Sequence, residues 1–176
     1  SEFVDLPKIQ HFEGAFYSEK QISELLKLTE NEPLHELIKT TVIFGLRRSE
    51  VLGLKWDSIN FDNNTVTIKH TVVQNGVLVE KDSTKNKSSY RSYPMPDDMK
   101  IMFLKLKEIE NTNSLLFGRE YIKNDYVFKR PNGQPYPPNY ISHKFKDILQ
   151  KYNLPIIRFH DLRHTCASLL LAKGCS

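Results

Sequence analysis

Ile59-Asn60-Phe61-Asp62-Asn63-Asn64-Thr65-Val66-Thr67-Ile68 decides the fold class of this 176-residue chain. Val66 and Ile68 alternate with Thr65 and Thr67, the period of two that sets one face of a strand against a core. Asp62-Asn63-Asn64 supplies turn chemistry between two such runs. A few residues on, Asn75-Gly76 separates Val72-Val73 from Val77-Leu78-Val79, a strong hairpin signal. Residues 56–80 therefore predict a small antiparallel sheet. On both sides of it the apolar period lengthens to that of a helix. The expected class is α+β: a mainly α-helical domain with a small antiparallel β-sheet on one side.

Toward the N-terminus, Ser18-Glu19-Lys20-Gln21 has the spacing of a capping box, with Ile22, Leu25 and Leu26 as the apolar stripe behind it. Pro33 opens a second predicted helix, with Leu34, Leu37, Ile38, Val42 and Ile43 facing the core until Gly45 interrupts it. Ser49 is placed to cap a third. Residues 1–17, with Pro7 and scattered aromatics, read as a linker from a preceding domain, and residues 18–176 as one domain. That is length enough for a core without a disulfide or metal staple. The chain starts without Met and reads as a fragment.

Toward the C-terminus, residues 81–92 break the apolar pattern with Asp82-Ser83-Thr84-Lys85-Asn86-Lys87-Ser88-Ser89-Tyr90-Arg91, a basic hairpin loop closed by Tyr93-Pro94-Met95-Pro96. Asp97 caps a predicted helix with Ile101, Met102, Leu104, Leu106 and Ile109 inward, and residues 111–124 read as irregular. Tyr126-Val127-Phe128 is a short strand into the turn Arg130-Pro131-Asn132-Gly133. Residues 138–152 form a helix with Ile141, Phe145, Ile148 and Leu149 inward and Lys144, Lys146 and Lys151 outward. The last helix carries Phe159-His160-Asp161-Leu162-Arg163-His164-Thr165 and runs through Ala172 to a Gly174 cap.

Cys166 and Cys175 are the only cysteines, nine residues apart and so on opposite sides of a continuous helix, which suits a reducing, cytoplasmic setting. No stretch is apolar enough to span a bilayer, and no secretory signal opens the chain. The net charge of +4 hides an asymmetry. Residues 1–80 hold 8 Lys/Arg against 12 Asp/Glu, and residues 81–176 hold 17 against 9. A basic half of this kind fits a surface facing a polyanion.

On one helix face His160, Arg163 and His164 would be neighbours, and a guanidinium beside an imidazole can grip a phosphate or carboxylate. Gly45-Leu46-Arg47-Arg48-Ser49-Glu50-Val51-Leu52-Gly53-Leu54 sets two arginines at a bend, with Glu50 close enough to hold Arg47. The plain alternatives are a solvated helix face for the first and a simple salt bridge for the second.

Taken in order, Arg47 after a helix, Lys85 in a basic hairpin loop, and His160 with Arg163 on a late helix resemble the catalytic domain of tyrosine recombinases of the phage-integrase family. The likeness is to integrases of phages and conjugative transposons, and it covers nearly the whole chain. Residues 45–56 look like the family's first arginine box, residues 84–91 like its lysine hairpin, and residues 160–165 like its His-x-x-Arg box.

The resemblance implies DNA strand cleavage and rejoining through a 3′-phosphotyrosine, with DNA integration by a mobile genetic element as the setting. Arg47, Lys85, His160 and Arg163 would be catalytic, Glu50 would support Arg47, and Arg48, Lys87, Arg91 and His164 would bind DNA. It implies double-stranded DNA as partner, a homo-tetramer on DNA for the full-length protein and a monomer for this fragment, with no metal or other cofactor. In the family a second histidine box and the nucleophilic tyrosine follow. None of the eight tyrosines here lies beyond Arg163, so the fragment is expected to hold phosphate without cleaving DNA. Two rivals remain at this stage. One is a non-catalytic DNA-binding or regulatory relative; the other is a zinc hydrolase using His160 and His164, whose spacing imitates His-Glu-x-x-His.

Overall fold

The computed structural model describes residues 16–74, 78–82 and 90–172. Helices α1 (Glu19–Leu28), α2 (His35–Phe44) and the short α3 (Arg48–Leu52) come first. Strands β1 (Ile59–Asn60), β2 (Thr65–Ile68), β3 (His70–Gln74), β4 (Leu78–Asp82) and β5 (Arg91–Pro94) follow, and then helices α4 (Asp97–Phe117), α5 (Pro138–Lys151) and α6 (Asp161–Ala172). The mainly helical α+β class expected from the sequence is the observed one.

The strands make two antiparallel units, a three-stranded sheet in the order β1-β2-β5 and a β3-β4 ribbon. The hairpin expected around residues 75 and 76 has both its strands, while its turn lies outside the described residues. Strand β5 was not legible. It buries no side chain and so carries no apolar alternation; the ladder to β2, pairing Val66 with Tyr93 and Ile68 with Arg91, fixes it instead.

Ser18 caps α1 through the capping box read from the sequence, its hydroxyl accepting from the Gln21 N–H. Pro33 lies in the turn before α2 rather than inside it, and Ile43 faces solvent while Leu37, Ile38, Val42 and Phe44 are buried. Gly45 ends α2 with φ of 63°, a left-handed conformation that glycine adopts without strain. Gly53 solves a different problem. A Cβ there would stand 2.6 Å from the His70 carbonyl oxygen, so only glycine lets α3 cross β3 this closely.

Helix α4 departs most from expectation. It continues through residues 111–117, and its buried positions are Met99 and Phe103, whereas Ile101, Leu104 and Ile109 are exposed. Polar ties near its middle explain its persistence. Glu110 accepts from Trp56 Nε1 and from Lys129 Nζ, both at 2.5 Å, and these contacts outweigh the weak propensity of Asn111-Thr112-Asn113-Ser114. Helix α5 matches its reading: Ile141, Phe145, Ile148 and Leu149 are all buried, each contributing roughly 1.5–3 kcal/mol of apolar burial.

Tyr17, assigned above to the arriving linker, is already part of the packed domain. It is buried, its N–H donates to Thr165 Oγ1 at 3.1 Å, and its hydroxyl donates to the Pro155 carbonyl. Burial, with the charge of Glu24, pushes that hydroxyl up to about 12. Helix α6 packs on α2, and α3 packs on α2, β3 and α5, so α2 and α3 lie between the segments that carry Arg47 and Arg163.

Candidate active site

Arg47 has extended backbone, φ −72° and ψ 155°, at the N-cap position of α3. It is Arg47, not Ser49, that stands just ahead of the helix; Ser49 lies inside its first turn. The Glu50 carboxylate reaches back to accept the Arg47 N–H at 2.9 Å, which starts the helix and turns the Arg47 side chain outward. That side chain is exposed, and among the described residues no carboxylate pairs with its guanidinium. The expected Arg47–Glu50 side-chain pair is therefore replaced by a backbone contact.

Glu50 spends its charge elsewhere. It is 2% exposed; Oε2 accepts from Arg91 Nη2 at 2.7 Å, and Oε1 lies 3.6 Å from Arg163 Nη1. A buried carboxylate without cations would be strongly disfavoured, and two arginines from distant segments compensate its burial. The contact to Arg163 is an ion pair without a hydrogen bond: Nη1 of Arg163 is buried and has no hydrogen-bond partner among the described residues. Arg47 and Arg163 are thus brought to the same carboxylate oxygen, one by its backbone and the other by its side chain.

A cleft of about 830 Å³ opens beside this point, between α3, β3, α5 and residues 156–160. Its cationic lining is Arg47, Arg48, Lys146 and Arg158, with His160 beside them, over walls that include Val72 and Ile157. Helix α5 turns Pro138, Ser142 and Lys146, spaced four residues apart, toward the cleft while its apolar stripe faces the core. Arg48 Nη1 donates to Ser142 Oγ at 2.6 Å and so spans from α3 to α5.

His160 directly precedes α6 instead of lying within it, and its carbonyl accepts from the Arg163 N–H at 3.2 Å. Its ring meets His164 edge-on, with centroids 4.8 Å apart. Partial burial of the ring, then His164 and Arg158, lower its pKa below the ordinary 6.5, leaving a neutral imidazole at pH 7. His164 is exposed and lies edge-on to Phe16 as well.

Three residues of this region, Asp161, Arg158 and Lys146, escaped the sequence reading. Asp161 is buried, and its carboxylate accepts from the backbone N–H, Nε and Nη2 of Arg158. Burial pushes the Asp161 carboxyl up, but the Arg158 contacts outweigh it and hold it below its usual value. The Arg158-x-x-Asp161 spacing was the available signal, since an arginine three residues ahead of an acid at a helix start can fork onto it. Lys146 was read only as an outward lysine.

The zinc reading finds no footing in this geometry. Asp161 is committed to Arg158, and among the described residues no group of three or more His, Cys, Asp or Glu side chains lies together as metal ligands would. Lys85 and Lys87 lie outside the described residues, and Arg91 points inward to Glu50 and the Tyr93 hydroxyl.

Residues 15–176 match the model of the phage integrase family. The chain belongs to that family. It is 26% identical over 170 residues to a tyrosine recombinase XerC-like protein of Caldanaerobacter subterraneus, covering 90% of this chain and 44% of the relative. It is 29% identical over 138 residues to the Tn916 transposase of Enterococcus faecalis, covering 73% and 32%. Among solved structures, the Tn1549 transposon integrase in complex with transposon right end DNA superposes with a TM-score of 0.79 at 20% identity, over 93% of this chain and 55% of that one. The XerH recombinase bound to difH DNA superposes with a TM-score of 0.62 at 24% identity, over 92% and 44%. The fold is that of these recombinases, and the chain spans about half their length or less.

Proposed function

We propose that this chain is the catalytic core of a site-specific DNA recombinase that cuts and rejoins strands through a 3′-phosphotyrosine. The observation that carries the reading is the convergence of Arg47 and Arg163 on Glu50 beside a cationic cleft, with donors of both guanidiniums left over. Attack of a tyrosine oxygen on phosphorus forms an O–P bond and breaks the bond to the 5′-oxygen. The transition state gathers negative charge on the non-bridging oxygens, and preorganised guanidinium donors stabilise that charge. Arg47 and Arg163 take this role. Lys85 supplies the proton to the departing 5′-oxygen, and His160, neutral at pH 7, adds a hydrogen bond or shuttles a proton. Arg48, Lys87 and His164 contact the DNA backbone, and Arg158 and Lys146 extend that basic lining.

These side chains supply the positive charge that the reaction needs, so the chemistry calls for no metal. None of the eight tyrosines follows Arg163, so none of them takes the nucleophile's role in this reading, and the chain by itself holds a phosphate without cutting it. The complete protein acts as a tetramer on two duplexes in the cytoplasm. No helix among the described residues is long and apolar enough to cross a membrane.

The test is capture of covalent protein–DNA product on a nicked suicide duplex by the complete protein, together with duplex binding by this chain across salt concentrations. Expected are a tyrosine-linked product and an affinity that drops steeply with salt. Salt-dependent binding without any covalent product from the complete protein would make it a DNA-binding relative that has lost the reaction.

A further inference from the structure

Arg91 offers a role that neither its basic loop nor its strand announces. It sits at the start of β5, three-quarters buried, with Nε on the Tyr93 hydroxyl at 2.7 Å and Nη2 on Glu50 Oε2 at 2.7 Å. Glu50 thereby has one oxygen engaged by Arg91 and the other by the Arg47 N–H, leaving Arg163 at 3.6 Å without a hydrogen bond to it. With Oε2 released, and Oε1 still able to accept a second donor beside the Arg47 N–H, the carboxylate would take the neighbouring guanidinium bidentately, because the two planar forks match. Arg163 would then lose two donors and most of its effective charge to Glu50.

Resting on the recombinase reading of Arg163, we propose that Arg91 is a positioning residue. By occupying Oε2 of Glu50 it keeps Arg163 close to that carboxylate but not captured by it, so the Arg163 donors stay available to the scissile phosphate. The three side chains carry a net positive charge, and Arg91 supplies the surplus without touching DNA.

The experiment uses the complete protein with Arg91→Met, Arg91→Lys, Glu50→Gln, Arg91→Met/Glu50→Gln and Arg163→Ala variants. Each is measured for covalent product formation on a suicide duplex, for duplex affinity against salt, and for thermal melting. Arg91→Met is expected to slow cleavage on the order of 10- to 100-fold, the scale of a misplaced reactive group. Its duplex affinity and salt slope should stay at the parent values, whereas loss of a phosphate contact would lower the slope by about one. Arg91→Lys keeps a single charged donor and should recover part of the rate.

The discriminating arm is the double variant. Glu50→Gln removes the charge that would capture Arg163 yet leaves an oxygen for the Arg47 N–H, so Arg91→Met/Glu50→Gln should cleave at least about five times faster than Arg91→Met. A purely structural role predicts a double variant no faster than the single one, with melting temperatures that track the rates, and that result overturns the proposal. A reduced salt slope in Arg91→Met overturns it in favour of a DNA contact. If Arg163→Ala cleaves normally, the recombinase reading of Arg163 fails first. If Arg163→Ala fails to cleave while Arg91→Met is normal, only the Arg91 proposal falls.

Discussion

Arg47 and Arg163 meet the same carboxylate, one through its backbone and the other through its side chain, yet they live in opposite environments. Arg47 stands exposed at the lip of the cleft with no acid on its guanidinium among the described residues, and only its backbone is anchored. Arg163 is about 30% exposed, leans on the 2%-exposed Glu50, and keeps one buried nitrogen unbonded. The first is held by where its chain runs, the second by what its side chain touches. Function and stability should therefore separate cleanly between them.

The largest expected effect tests what they share. Arg47→Ala and Arg163→Ala in the complete protein should each reduce strand cleavage by about 10²–10³-fold, the cost of one preorganised anion donor, with only a few-fold change in duplex affinity. Suicide-substrate kinetics beside gel-shift titration reads both. Equal losses of cleavage and binding would reduce the pair to phosphate anchors.

The next effect separates them. Glu50→Ala strands Arg163 and Arg91 beside a vacated, buried site and should destabilise the fold by about 3 kcal/mol, the lower end for breaking a buried pair because both guanidiniums are partly solvated. Arg47→Ala should stay within about 0.5 kcal/mol of the parent, as exposed substitutions do. Chemical denaturation of the three proteins measures this, and a destabilised Arg47→Ala would erase the contrast.

The smallest effects concern protons near Arg163. His160 titrates below 6.5 in the folded state, so the unfolded chain takes up that proton first. Its contribution to stability is complete above about pH 6.5 and is lost as pH falls through the lower folded value. Asp161 behaves likewise at lower pH: the stability it gains from Arg158 is present above its ordinary 3.8 and disappears as pH drops through the depressed folded value. Imidazole resonances followed by NMR titration should show His160 titrating below the ordinary 6.5. The melting difference between the parent and Asp161→Asn should shrink in acid below about pH 4.

How much of this was legible in the sequence depends on what fixed each residue. Helix α5 and the capping box of α1 could be read because local pattern alone determines them. So could the place of Arg47 just ahead of a helix, since Gly45 and the apolar run that follows mark that junction. Strand β5 and the far half of α4 could not, because long-range partners hold them: the β2 ladder in one case, Trp56 and Lys129 on Glu110 in the other. The same holds within the site. Glu50 was tied to Arg47 by its three-residue spacing, but its charge goes to Arg91, 41 residues away, and to Arg163, farther still. Spacing finds neighbours along the chain, and burial chooses among neighbours in space.

Tyr17 adds a mechanical consequence. Its N–H is fastened to Thr165, its hydroxyl to Pro155, and Phe16 rests on His164, so the backbone leading into α1 is bolted to both ends of the segment that presents His160 and Arg163. A pull on the chain at residue 16 is expected to reach α6 through these contacts. The entry to α1 is therefore a lever whose short arm ends beside Arg163.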